Sequence, residues 1–329
     1  MDMQLTEEQV WLSESAAELV TREPADRLWS KLIAFGALDV DQLGAVELAL
    51  IARALGEGLA AAPFVDTAAV AYVLGEPGGV GVGACLSEPG RSFAPADPAA
   101  QLEEGRLSGE KGPVVLGAAV ELFAVPAAAP EGLVLAVVRR TSTGVTVTPE
   151  GTIDPSLAPV RLHFDEVEPE RVESGSLVEE IAAIGAVLAA AEAVGAAAAV
   201  LALARDYAGQ RRQFGRTIGS FQAVRHLLAD MYVGVETSWS SVLYAAAALD
   251  EREEGRLGTA SIAKAYASRA TRDVAHGALQ VFGGVAFAAE HPAHRFLRRI
   301  LARAEHFGGA RDHERSLGRH LARGLEVLA

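Results

Sequence analysis

The sequence predicts an α+β protein that is mostly α, with a short helical opening, a small β-rich middle and a C-terminal four-helix bundle. Three observations carry this reading. Apolar residues recur at helical spacing near both ends of the chain. Between about Val80 and Val172 the texture changes to Gly, Pro and Val with short β-type runs. Half of the 329 residues are hydrophobic but only 6% are aromatic, because Ala carries the apolar content, and Ala favours close-packed helices. The implied division is 1–78, 79–173 and 174–329.

Thr6 and Gln9 make a capping box ahead of Val10, Trp11 and Leu12, so a first helix runs toward Thr21. A second follows Pro24, near Leu28 to Phe35. Leu43, Val46, Leu50, Ile51 and Leu55 place a third over Asp41 to Leu59, closed by Pro63. Strand candidates are Val80–Leu86, Leu133–Val138, Gly144–Pro149 and Val160–Phe164, while Phe93–Ala100 and Pro126–Pro130 read as loops. The final helical runs are Leu177–Gln210, Phe221–Arg252, Thr259–Phe282 and Pro292–Leu328, with the short connections of a bundle.

A net charge of −14 and the lack of a basic arm argue against nucleic acid. The single cysteine, Cys85, excludes an internal disulfide and disfavours a thiolate metal site, so no metal is expected and a reducing cytoplasm suits the chain. Acidic residues stand near the N-terminus where an export signal would be basic. Ile181 to Ala204 is long enough to span a bilayer, but it is mostly Ala, Val and Gly, with Glu192 near its centre and no aromatic belt. It reads as a buried bundle helix, and no membrane partner is expected.

Two motifs carry chemistry. Arg211 to Met231 reads RRQFGRTIGSFQAVRHLLADM and sets Arg211, Arg212 and Arg216 beside a Gly turn between helices. A basic knot of this kind in an acidic protein suggests a bound phosphate or pyrophosphate, and alternatively a helix corner whose arginines are solvated. The second is Gln280-Val281-Phe282-Gly283-Gly284, followed by Glu290, Pro292, Arg295 and Arg298. A Gly pair lets backbone approach a ligand closely, and a Gln side chain both donates and accepts hydrogen bonds; alone, the pair would read as a helix cap.

The first motif resembles the acyl-CoA dehydrogenase family through Arg211, Gln213, Phe214, Gly215, Phe221, Gln222, Val224, His226, Leu228, Ala229, Asp230 and Met231. The second resembles the same family's C-terminal signature. The resemblance covers most of the chain, strongly from about residue 180. It implies FAD as cofactor, an acyl-CoA substrate and an electron-transfer flavoprotein as acceptor. It also implies that Arg211, Gln213, Phe214, Gln280, Gly283 and Gly284 touch FAD held mainly by a neighbouring subunit.

The family's reaction is α,β-dehydrogenation of an acyl-CoA thioester by a glutamate base and the flavin. Aligned on Pro292, Arg295 and Arg298, the glutamate position holds Phe307, and the Asp after the arginine is Arg299. Relatives that carry the base on the first bundle helix place it near Gly185. Glu192 and Glu305 are the remaining candidates for a substitute base. The family's flavin cradle is eroded as well: Ser87-Glu88-Pro89-Gly90-Arg91-Ser92 is a partial match, and Lys111-Gly112-Pro113-Val114-Val115 puts Pro113 and Val115 at the ring-supporting Trp and Thr positions. The opening domain also looks short. These losses imply a non-catalytic subunit of a hetero-oligomer, of the type that acts on CoA thioesters of fatty acids or sterol side chains. The alternatives are a self-sufficient enzyme with a relocated base and a non-redox acyl-CoA-binding or interaction protein.

Overall fold

A computed structural model describes residues 4–75 and 79–327; the proposed boundary at 78 and the end of the last helical run at Leu328 lie outside the described residues. The opening holds α1 (Glu7–Arg22), α2 (Ala25–Ala34), α3 (Ala45–Glu57) and α4 (Phe64–Leu74). The Thr6–Gln9 capping box forms in both directions, and Gln9 Nε2 also donates to Glu47 at 2.7 Å, tying α1 to the start of α3. Pro63 does not merely close the third helix; it sits at the N-cap of α4. The α4 sequence FVDTAAVAYVL is buried nearly all round, so it shows no amphipathic stripe to announce it.

The middle forms one mixed sheet of β1 (Val82–Ala84), β2 (Gln101–Glu103), β3 (Arg106–Val114), β4 (Leu122–Ala129), β5 (Gly132–Arg139), β6 (Val145–Pro149), β7 (Val160–Val167) and β8 (Arg171–Ser174). The order is β6-β7-β3-β2-β4-β5-β8, with β1 parallel to β4. Pro126 to Ala129 is therefore strand, not loop. Pro126 is tolerated because on that edge β1 pairs only with 122–124 and β2 only at Ala128, leaving a gap in the ladder where no N–H is required.

The bundle is α5 (Leu177–Gln210), α6 (Gln222–Asp250), α7 (Arg256–Phe282) and α8 (Ala293–Glu305), with α9 (Ala310–Val327) packed on α7. By length and composition α5 could cross a membrane, yet most of its apolar stretch is buried inside the fold. The expected single run from Pro292 onward is two helices. Phe307 (φ 58°) and Gly308 (φ 92°) are left-handed, which no continuous α-helix allows.

The opening is clamped to the bundle where α3 crosses α5 in backbone contact. A Cβ on Gly195 would overlap the Arg53 carbonyl oxygen, and one on Gly56 would overlap that of Glu192. Asp250, the last residue of α6, adds a cap on α3 by accepting from the Ala45 and Val46 amides at 2.6 and 3.2 Å. Gly195→Ala is expected to lower stability by about 1–3 kcal/mol despite the better helix former. Gly209→Ala, on the same helix with open space around its Cβ, should leave stability unchanged or raise it by up to about 1 kcal/mol. Urea denaturation of both variants tests the crossing; equal effects would dismiss it.

Candidate functional site

Arg211 ends α5, its amide donating to Tyr207 O at 2.8 Å. The chain then turns at Gly215 through a short hairpin, where the alternative reading had a plain helix corner. Arg212–Gln213 (β9) pairs antiparallel with Arg216–Thr217 (β10), and the two residues between them, Phe214 (φ 52°) and Gly215 (φ 79°), are both left-handed, as a type I′ turn requires. Arg212 stiffens the turn by donating to Gly215 O at 2.9 Å, and the Arg216 guanidinium lies 4.0 Å over the Phe221 ring. Phe214 is left 91% exposed at the tip. The Arg211 side chain is also exposed and has no ion-pair partner among the described residues.

Gln280 is exposed on the last turn of α7, and Gly283 (φ 66°) stops that helix. A Cβ on Gly283 or Gly284 would meet only open space. The edge-on contact of Tyr207 with Phe282, 5.3 Å between centroids, brings the C-terminal ends of α5 and α7 together. Arg211, Gln213, Phe214, Gln280, Gly283 and Gly284 thus all present outward at one end of the bundle, beside a further exposed ring, Phe287 (78%).

The base position is sealed. Phe307 is 2% exposed, and its ring occupies the space that a Cβ on Gly185 would need. Two positions that the resemblance offers for a base therefore pack against each other with no carboxylate between them. The His306 ring lies 4.4 Å from the Phe307 ring, and His313 Nε2 holds the Phe307 carbonyl at 2.9 Å. Burial pulls the His313 imidazole down to about 4, so at neutral pH it is an uncharged donor to that carbonyl.

Glu192 is 1% exposed and held by two arginines, Arg299 Nη1 at 2.9 Å and Arg303 Nη2 at 2.9 Å. Arg299 continues to Asp154 Oδ2 (2.7 Å), Ser156 Oγ (2.8 Å) and the Ala60 carbonyl (2.7 Å). Arg303 reaches His306 Nδ1 at 2.6 Å, and His306 Nε2 faces Asp66 at 3.2 Å. Burial lowers the His306 pKa against the pull of Asp66, and the neutral ring fits the geometry: Nδ1 accepts from the guanidinium while Nε2–H donates to the carboxylate. Glu305, by contrast, is exposed, with its carboxylate folded over Gly309.

Lys264 is fully buried and caps the end of α8, donating to the Arg303 and Ala304 carbonyls at 2.7 and 2.8 Å and to Ser268 at 3.1 Å. Burial pulls it down to about 7. Nothing in its Ala-rich surroundings marked this lysine in the sequence. Arg299 and Glu192 were visible as oddities, but their pairing joins residues more than a hundred positions apart.

The two remnants of the flavin cradle lie side by side, Gly112 N–H donating to Ser87 O at 3.0 Å. The buried Lys111 ammonium bridges them to Glu88 at 2.6 Å, and Arg91 adds a second contact at 2.6 Å. Burial alone would raise Glu88, but Lys111, the Ala99 amide and Arg91 outweigh it and hold the carboxyl at about 2. Phe93 from the adjoining loop closes over Gly308 and His313. The cradle remnant is closed by its own buried ion pair, whereas the bundle end at Gly283 and Gly284 stands open. Among the described residues no metal-binding cluster occurs.

A helical opening, a mixed sheet and a C-terminal bundle define the fold of the acyl-CoA dehydrogenases, a class of FAD-dependent oxidoreductases. A family model described as acyl-CoA dehydrogenase, C-terminal domain, matches residues 176–320. The chain is 30% identical to the acyl-CoA dehydrogenase FadE27 of Mycobacterium tuberculosis over 90% of its own length and 88% of that protein. It is 36% identical to IpdE2 of the same organism over 50% of the chain, and spans only about half (48%) of that relative. The ChsE4–ChsE5 complex of M. tuberculosis aligns with a TM-score of 0.86 at 26% identity, covering 98% of this chain and 99% of the matched one. The chain belongs to the acyl-CoA dehydrogenase family.

Two measurements probe the buried groups. Glu192→Gln is expected to destabilise by about 3–5 kcal/mol, because it leaves the buried Arg303 without a counter-charge and Arg299 with Asp154 alone, whereas Glu305→Gln should change stability by less than about 0.5 kcal/mol. For Lys264, a folded value of about 7 against 10.5 unfolded means that the unfolded chain holds the extra proton between those pH values. Stability therefore rises with pH across that window and is lowest below it. Relative to Lys264→Met, the wild type should gain up to about 1.4 kcal/mol per unit between about pH 7.5 and 9. Urea denaturation across that range reads the slope; a pH-independent difference would show that the lysine stays charged.

Proposed function

We propose that this chain is the short, non-catalytic subunit of a heteromeric acyl-CoA dehydrogenase, in which a longer partner supplies the base and the flavin-ring cradle. The observation that carries the reading is the packing of Phe307 on Gly185, because α-proton abstraction needs a carboxylate in a dry pocket and a phenyl ring cannot take a proton. Glu192 offers no free substitute, since both of its oxygens are held by guanidinium groups.

The distances favour contacts in trans. Along α5, 26 residues separate Gly185 from Arg211, about 39 Å at the helical rise and farther than one FAD reaches. The flavin-contact residues therefore serve a cofactor whose reacting ring lies outside this chain's own sealed position. Bound FAD supplies the hydride acceptor. This chain's part is to set the Arg211 guanidinium against the pyrophosphate and to cover the adenosine end with Gln213, Phe214, Gln280 and the Gly283–Gly284 backbone. The relative named as a complex of two chains supports a hetero-oligomer. We assign the substrate to CoA thioesters of fatty acyl or sterol side chains, the acceptor to an electron-transfer flavoprotein, and the location to the cytoplasm. The three-module division near residues 78 and 173 belongs to the same reading.

The test is the visible spectrum of the chain purified alone and again after co-expression with a longer acyl-CoA dehydrogenase subunit. The expected results are a colourless protein alone, a flavin band in the complex, and weaker flavin retention in an Arg211→Ala complex. Stoichiometric flavin and acyl-CoA oxidation by the chain alone would defeat the proposal.

A further inference from the structure

Arg295 and Arg298 belong to the second motif but take part neither in the flavin-contact surface nor in the sealed base position. They open onto a cavity of about 280 Å³ whose walls come from three parts of the fold. Leu59 follows α3, Asp154 to Ser156 form the turn between β6 and β7, and the rest comes from the first two turns of α8. The charges in this wall are unevenly satisfied. Arg299 is saturated by Asp154, Glu192, Ser156 and backbone carbonyls. Asp154 is spent as well: Oδ2 accepts from Arg299, and Oδ1 accepts from the Ser156 amide and hydroxyl at 3.1 and 2.6 Å. The wall's one carboxylate is therefore neutralised within the wall. The Arg295 and Arg298 side chains have no hydrogen-bond or ion-pair partner among the described residues, although the chain carries a net charge of −14.

These two arginines are three positions apart, so they share one helix face. That face lies in the opening turns of a 13-residue helix whose dipole favours an anion, although the Ala293 amide is taken by His291 Nδ1 and the Arg295 and Phe296 amides by the Pro292 carbonyl. Opposite them, Leu59 and Pro155 present apolar surface. We propose that this cavity binds a phosphate-bearing small molecule, its phosphate bridged by Arg295 and Arg298 and its remaining portion resting on Leu59 and Pro155. Guanidinium forks match phosphate oxygens in pairs, which favours phosphate over a monovalent halide. The volume is near the lower limit for small-molecule sites, which suits pyrophosphate or one nucleotide and excludes an entire acyl-CoA. A ligand seated here touches the opening, the sheet and the bundle at once, so binding would also raise the unfolding temperature. The inference does not rest on the flavin reading.

The experiment is calorimetric titration of the full chain with pyrophosphate, ADP and CoA, alongside ³¹P line broadening of pyrophosphate. Saturable binding is expected, with ADP at least as tight as pyrophosphate. Affinity should fall at least about tenfold in the Arg295→Ala/Arg298→Ala variant, and should also fall when salt is raised from about 50 to about 500 mM. Both side chains are exposed and unpaired, so the ligand-free melting temperature should not move; should the double variant misfold, Arg298→Gln gives the same reading by ³¹P line width. ADP binding more weakly than pyrophosphate would overturn the role of Leu59 and Pro155. CoA matching ADP would assign the site to the nucleotide end of a thioester, and CoA excluded would assign it to free nucleotides. No binding at about 5 mM ligand, unchanged binding in the variants, or displacement by an acidic peptide of equal charge would overturn the proposal.

Discussion

The Glu192 carboxylate, fixed between Arg299 and Arg303, is the interaction on which the rest of the architecture depends. A buried ion pair forfeits much hydration and is sustained only when each group finds a full set of partners. Here the partners are drawn from every part of the chain, and of the two guanidinium groups only Arg303 leaves a nitrogen, the buried Nε, without one. Arg299 collects the Leu59 and Ala60 carbonyls behind α3 and Asp154 from the sheet. Arg303 leads through His306 to Asp66 on α4, whose other oxygen accepts the Ala84 amide of β1. Opening, sheet and bundle are thus registered by one chain of charge, and the penalty for losing any member is shared by all three.

The same network places the plug. Lys264 holds the last carbonyls of α8, and His313 holds the carbonyl of Phe307, so the left-handed residue that breaks the helix is pinned from both sides. Phe307 then turns its ring onto Gly185, where absence of a Cβ is what makes room. The space beside Gly185 is spent on packing of the Phe307 ring, and the Glu192 carboxylate on the same helix is bound to two arginines. Chemistry and rigidity compete for the same buried groups, and rigidity has them here.

How much was legible in the sequence follows from where its signals are local. Helix α5 was readable from end to end, because its Ala-rich run stops at a basic hairpin. Helix α4 was hidden because burial on all sides erases the periodicity that would reveal it. The second half of β4, from Pro126, was mistaken for a loop because Pro126 reads as a breaker until the missing ladder neighbour is seen. The break at Phe307 was masked by helix formers on both sides. In the site, the outward cluster of Arg211, Phe214 and Gln280 was readable because its motifs are contiguous, and the phenyl ring at position 307 because the alignment is short-range. The ion network was not, since its members are individually ordinary and only the fold brings them together.

What the fold adds is a direction for each half of the motif set. The Arg211, Phe214 and Gln280 side chains are exposed, while the Glu88 and Lys111 side chains are buried and neutralise each other. An enzyme that used its own flavin would need the reverse at the cradle: unpaired groups facing a cavity. A bundle end kept open and a cradle closed by salt bridges are intelligible together when the two are not parts of one site, as the span of α5 between Gly185 and Arg211 allows.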